Sequence, residues 1–207
     1  MLAEIVTAAV MIGSLLCFIH GWMHREHWLT AAFFIGGFIF GVVRENIVAL
    51  MPGMYSYPDH AFYIGAAPMV MWFGWSVSFY ASWVVGNRIL EAFAPKWKDN
   101  LWGILLTAAI ITAFISLPVE IAAGAPETGW WIWPPEAIPV WFEMPPIVPF
   151  GWGGAAFLFL LFFLTIEKRN AEPRTKALLF IAASLLVTIL HLVYTFAIRS
   201  IIVFLLG

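Results

Sequence analysis

Residues 42–75 read VVRENIVALMPGMYSYPDHAFYIGAAPMVMWFGW. An apolar run carries Arg44 and Glu45, breaks at Pro52-Gly53, crosses a loop rich in tyrosine and proline, and resumes toward Phe73-Gly74-Trp75. The triplet returns at Phe150-Gly151-Trp152. With the two triplets aligned, Pro68 and Pro145 each stand five residues before the Phe. Tyr57, followed by Pro58 and Asp59, stands sixteen residues before Phe73; Trp133, followed by Pro134, Pro135 and Glu136, stands seventeen before Phe150. Glu45 precedes Tyr57 by twelve, and Glu120 precedes Trp133 by thirteen. Acid, aromatic-Pro-acid, Pro and Phe-Gly-Trp thus recur in the same order at a nearly constant offset.

Composition says what surrounds these elements. The chain has 207 residues, of which 63% are hydrophobic and 11% charged, with a mean hydropathy of +0.93. A soluble domain carries about 25% charge, so much of this surface must face lipid. The net charge of −2 gives no basic field and argues against nucleic acid as a partner. The single cysteine, Cys17, cannot form an internal disulfide. The first apolar stretch has neither a basic leader nor a small-residue cleavage site and reads as a permanent span.

Apolar runs of about 20 residues mark transmembrane helices. Six are expected, at roughly 2–21, 28–51, 62–86, 101–123, 148–166 and 177–205. The fold class is an all-α polytopic membrane protein, one transmembrane domain over 1–207. The repeat offset spans two helices, so the hairpins at about 28–86 and 101–166 form a parallel internal repeat. The loops at 21–27, 87–100 and 167–176 hold eight Lys and Arg, while those at 52–61 and 124–147 hold none. The positive-inside rule puts the basic loops in the cytoplasm, in a cell membrane, and both termini outside.

A charged group within a membrane helix is costly and is a functional candidate. Desolvation disfavours the charged form of a buried carboxyl, which suits it to general-acid work. Glu45 lies about 25 Å, and Glu120 about 28 Å, from the cytoplasmic end of its helix at the α-helical rise. His191 and Arg199 lie at about 21 and 33 Å in the last helix, and Tyr194 shares a face with His191. Glu45, Glu120, Asp59 and His191 are the candidate catalytic residues. Arg44, Tyr57, Trp75, Trp133, Glu136, Trp152, Tyr194 and Arg199 are the candidate substrate-binding residues, with an ion pair between Glu45 and Arg199 as the structural alternative. His60 is a weaker candidate. His20, His24 and His27 have a spacing that shares one helix face, but they fall at the cytoplasmic end and read as an interfacial helix end rather than a metal site. No P-loop, dinucleotide fingerprint, nucleophile elbow or Cys-pair motif is present.

The stretches RENIVALMPGMYSYPDHAFYIGAAPMVMWFGWSVSFYASW and VEIAAGAPETGWWIWPPEAIPVWFEMPPIVPFGW resemble membrane proteins of carotenoid biosynthesis of the carotenoid 1,2-hydratase type (CruF-like). The resemblance covers the middle of the chain, about half of it. Its features fall on Glu45, Tyr55, Tyr57, Pro68 and Trp75, then on Glu120, Trp131, Trp133, Pro149, Gly151 and Trp152. The chain departs from that family in length, being short, and at the second acid. The family often has an aspartate followed by proline there; here it is Glu120, with Pro118 before it. The resemblance implies a lipid-soluble isoprenoid or carotenoid substrate and hydration of a terminal double bond without a cofactor. Glu45 and Glu120 would be the acid–base pair, and the aromatic faces would stabilise a carbocation. Cyclisation or isomerisation begins with the same protonation. A non-catalytic lipid-binding or complex subunit, and a small transporter, are the readings from other classes.

Overall fold

The computed structural model describes residues 2–51, 54–57, 62–124, 130–133 and 145–206. Among these residues six long helices follow in order: α1 (Leu2–His24), α2 (His27–Ala49), α3 (Met69–Phe93), α4 (Leu101–Gly124), α5 (Ile147–Glu167) and α6 (Pro173–Leu206). The helix starts follow local chemistry. Glu26 accepts a bond from the Leu29 amide and caps α2. The Asn100 side-chain carbonyl accepts from the Gly103 amide at the start of α4. Pro173 opens α6, where its fixed φ and missing N–H suit the first turn.

Five of these helices (α1, α2, α4, α5 and α6) are long and apolar enough to cross a membrane. The third, α3, has 25 residues and the length to do so, but its Trp, Ser, Tyr and Gly residues dilute its apolarity. Much of that polar content is turned inward: Ser76, Ser82 and Tyr80 are buried. The Thr112 hydroxyl of α4 donates to Ser82 Oγ at 2.8 Å, a polar tie between helices of the kind that holds membrane bundles together.

The expected start of the third helix at residue 62 is corrected to Met69. Tyr63–Ile64 (β1) and Ala67–Pro68 (β2) form a small antiparallel hairpin instead. Gly65 turns it with a φ of +65°, a conformation suited to glycine. The Asn46 side chain accepts the Ala66 amide at 2.7 Å, pinning this hairpin to α2.

Aromatic rings fill the core. Phe33, Phe40, Phe79, Phe159, Phe163 and Phe180 are fully buried, and Phe79 stacks on Phe159 with centroids 4.4 Å apart. Large apolar side chains such as Leu15, Phe114 and Val193 face outward on the long helices, as a lipid solvent permits. The helices approach closely where side chains are small. A Cβ added at Gly41 would lie 2.7 Å from Trp72 Cα and 3.1 Å from the Met71 and Trp72 carbonyl oxygens. Those atoms are backbone and cannot yield without parting α2 from α3. Gly41→Ala is expected to destabilise the fold by about 1–3 kcal/mol, an overpacking cost. Gly74→Ala, whose added Cβ would meet only Val10 at 4.0 Å, is expected to be neutral. Thermal unfolding of both variants in detergent checks this pair.

The three basic loops gather at one end of the bundle. Arg25 lies over the Trp83 ring at 3.6 Å and pairs with Glu167 at 3.2 Å, and Lys98 and Lys168 line the same cleft. Burial lowers the Arg25 pKa, and the charge of Glu167 opposes that.

Candidate functional site

At the opposite end, α2, α4, α5 and α6 converge with the segments that follow α2 and α4. The geometry begins with two consecutive residues near the end of α2. Glu45 is fully buried and both of its oxygens are occupied. Oε1 accepts from Trp75 Nε1 at 2.6 Å and from Arg44 Nη1. Oε2 accepts from the Tyr55 hydroxyl at 2.8 Å and from the Tyr57 hydroxyl. Four donors on two oxygens is the bonding pattern of a carboxylate acting purely as an acceptor.

Extended backbone explains why two tyrosines reach one carboxyl. Side chains at i and i+2 of an extended segment point the same way, and Tyr55 and Tyr57 flank Ser56. Ser56 itself pairs by both backbone groups with Ile132, at 3.1 and 2.9 Å, which holds the segment extended. Burial pushes both phenols well above the usual tyrosine range, and the charge of Glu45 adds to this while Arg44 opposes it. They therefore remain hydroxyl donors to Glu45. The structural alternative, an ion pair between Glu45 and Arg199, is corrected: the partner of Glu45 is Arg44.

Glu120, on α4, is buried in a different manner. Its Oε1 accepts from Trp152 Nε1 at 2.9 Å, and its Oε2 has no hydrogen-bond partner among the described residues. Each acid is thus held by the indole of a following helix, Glu45 by Trp75 of α3 and Glu120 by Trp152 of α5. The two indoles lie 4.9 Å apart between centroids. The Arg44 guanidinium covers the Trp75 ring at 4.9 Å.

A cavity of about 50 Å³ opens beside them. Glu120, Arg44 and Arg199 line it, together with apolar walls from Val48, Val148 and Leu192. A buried water needs roughly 10–15 Å³ of such space, so the cavity holds several waters or part of a small apolar group. Trp133 also lines it, and its Nε1 has no partner among the described residues.

The remaining expected residues divide. Arg199 reaches the cavity wall. His191 does not; it packs against Phe40 and Trp75, and its Nε2 pairs with the Gly151 carbonyl at 2.9 Å. A carbonyl only accepts, so Nε2 carries the hydrogen and Nδ1 is left as a lone pair without a partner among the described residues. Tyr194 donates to the Phe150 carbonyl at 3.1 Å and packs over Gly154. His191 and Tyr194 thus position the start of α5. Asp59, His60 and Glu136 lie outside the described residues. At the basic end His20 and His24 stack on each other at 4.4 Å, with His20 bonding Tyr80 and His24 bonding its own helix, while His27 stacks on Trp22 instead. No group of three metal-ligating side chains occurs among the described residues.

Tyr55 and Trp131 belong to the site as well, and their spacing in the sequence marks both. Tyr55 stands two before Tyr57, and Trp131 two before Trp133, in segments where that spacing keeps side chains on one side. Trp131 is buried, with its Nε1 unpartnered among the described residues. Comparison with family models, with curated proteins and with solved structures finds no match to this chain.

Proposed function

We propose that this chain is a membrane-embedded enzyme that adds water to a carbon–carbon double bond of an acyclic isoprenoid, a carotenoid end group above all. It would act without a redox cofactor, as the carotenoid 1,2-hydratase family it resembles would. One observation carries the reading. Two buried carboxyls differ in character: Glu120 lines the largely apolar cavity with one oxygen unclaimed among the described residues, while Glu45, saturated by four donors, lies behind Arg44 and Tyr55 of its wall.

The chemistry follows from that contrast. Glu120 in its acid form transfers the Oε2 proton to the less substituted alkene carbon, and the π pair becomes the new C–H bond. The positive charge falls on the tertiary carbon. The rings of Trp133 and Trp152, which line the cavity, and the fixed negative charge of Glu45 stabilise it. A water lone pair then forms the C–O bond, and one water proton returns to Glu120. No electron is gained or lost overall.

A pseudo-two-fold relation between the hairpins α2–α3 and α4–α5 belongs to the same proposal. Ser56 pairs with Ile132, and Trp75 lies tilted against Trp152. The separation along the chain within each of these pairs nearly equals that between Glu45 and Glu120. Equivalent residues meeting each other is what an axis along the membrane normal produces, and it supports a parallel repeat. In this reading α3 is a sixth span. The basic loops face the cytoplasm of a cell membrane, and the site and both termini lie on the outer side.

Expression of the chain in cells that make lycopene or a bacterioruberin precursor tests the function. Pigments with added hydroxyl groups are expected. Unchanged pigment across several acyclic substrates would sink the proposal, and is what a lipid-binding subunit or a transporter would give.

A further inference from the structure

Beside the main cavity lies a second, smaller void of about 10 Å³. Arg44, Tyr55, Glu120 and Trp152 line both spaces, and Trp131 lines the small one. Three polar atoms of its lining are buried without a hydrogen-bond partner among the described residues: Arg44 Nε, Glu120 Oε2 and Trp131 Nε1. Buried polar groups without partners are rare and each costs free energy. Here they are two donors and one acceptor around a single void. Its volume is about that of one water-sized sphere.

We infer that this void is a binding site for one water molecule, held between the Trp131 N–H and Glu120 Oε2, and that this water is the nucleophile of the proposed hydration. The nucleophile role rests on the proposed function; the water site rests on the void alone. The water accepts from Trp131 and donates to Glu120. Its second lone pair takes the Arg44 Nε–H when the cavity is empty. Arg44, Tyr55, Glu120 and Trp152 line both spaces, so a cation held in the main cavity is a neighbour of this water. Once Glu120 has given its proton to the alkene, its carboxylate is the acceptor of the same water. Attack forms the C–O bond, and the proton released from the water restores the acid. Trp131 is a positioning residue: it touches the water and not the reacting carbon.

Removing the indole N–H while keeping an aromatic ring tests the idea. In Trp131→Phe the cation still forms but the water is poorly held, so the cation is lost by releasing a proton. The ratio of hydrated product to isomerised alkene is expected to fall about tenfold or more, with substrate consumption much less affected. An unchanged product ratio would overturn the nucleophile role. A structure of the full chain in lipid, at a resolution where buried waters are visible, tests the site itself. A peak at about 2.7–3.2 Å from both Glu120 Oε2 and Trp131 Nε1 is expected. An empty void there would overturn the site. If wild-type protein converts no substrate, the functional reading fails and the nucleophile role with it, while the density still decides whether the water is bound.

Discussion

Glu120→Gln is expected to abolish turnover while leaving the fold in place. The amide keeps the size of the carboxyl and keeps an oxygen to accept from Trp152 Nε1, now 2.9 Å from Oε1. Its nitrogen falls where Oε2 has no partner among the described residues, so the bond to Trp152 is kept. What disappears is the transferable proton. General acid–base catalysis contributes about 10²- to 10⁴-fold, and loss of hydrated pigment by at least the lower figure is expected. Pigment analysis beside thermal unfolding checks both halves. Activity near the wild-type level would remove Glu120 from the acid role.

Glu45→Gln has a different expected outcome, because Glu45 anchors a network. Its carboxylate is the counter-ion of buried Arg44 and the acceptor for Trp75, Tyr55 and Tyr57. An amide oxygen can serve only part of that set, and the amide nitrogen meets donors rather than acceptors. Leaving one member of a buried pair uncompensated costs about 3–5 kcal/mol. A large drop in unfolding temperature is expected, with activity lost as a consequence. Replacing both members, Arg44→Met with Glu45→Leu, removes the uncompensated charge and is expected to regain part of the stability without activity. A double-mutant cycle of unfolding free energies measures this coupling. Equal stability of Glu45→Gln and wild type would show that the network does not hold the site end together.

The two variants separate the acids in a way the sequence does not. In sequence Glu45 and Glu120 are alike: each lies deep in an apolar run, ahead of an aromatic loop and a Phe-Gly-Trp triplet. Their difference comes from neighbours brought in by folding. The arginine beside Glu45 and the tyrosines ten and twelve residues later close on one carboxyl. At Glu120 the corresponding loop offers tryptophans, and an indole N–H is a donor of one fixed direction. Trp152 bonds one Glu120 oxygen at 2.9 Å, and the Trp131 indole is the other tryptophan that approaches this carboxyl. The line between loop and helix was also hidden at 62–68. Those residues are apolar enough to extend α3, but Gly65 and the Asn46 cap turn them into a hairpin.

The helical membrane class follows from the sequence alone, because a chain with so few charges and apolar runs of about 20 residues can satisfy its backbone in lipid chiefly as helices. Their approximate limits follow too, from prolines, glycines and charged loops. So does the choice of Glu45, Glu120, Trp75 and Trp152 as residues to watch, since burying a charge requires partners. Which partner each acid takes was decided only by tertiary structure. So was the displacement of His191 and Tyr194 from the cavity to the start of α5, and the gathering at one small void of three residues with polar atoms unpartnered among the described residues. Hydrogen bonds of this kind depend on the angle and reach of side chains from separate helices, and no spacing along one chain encodes those.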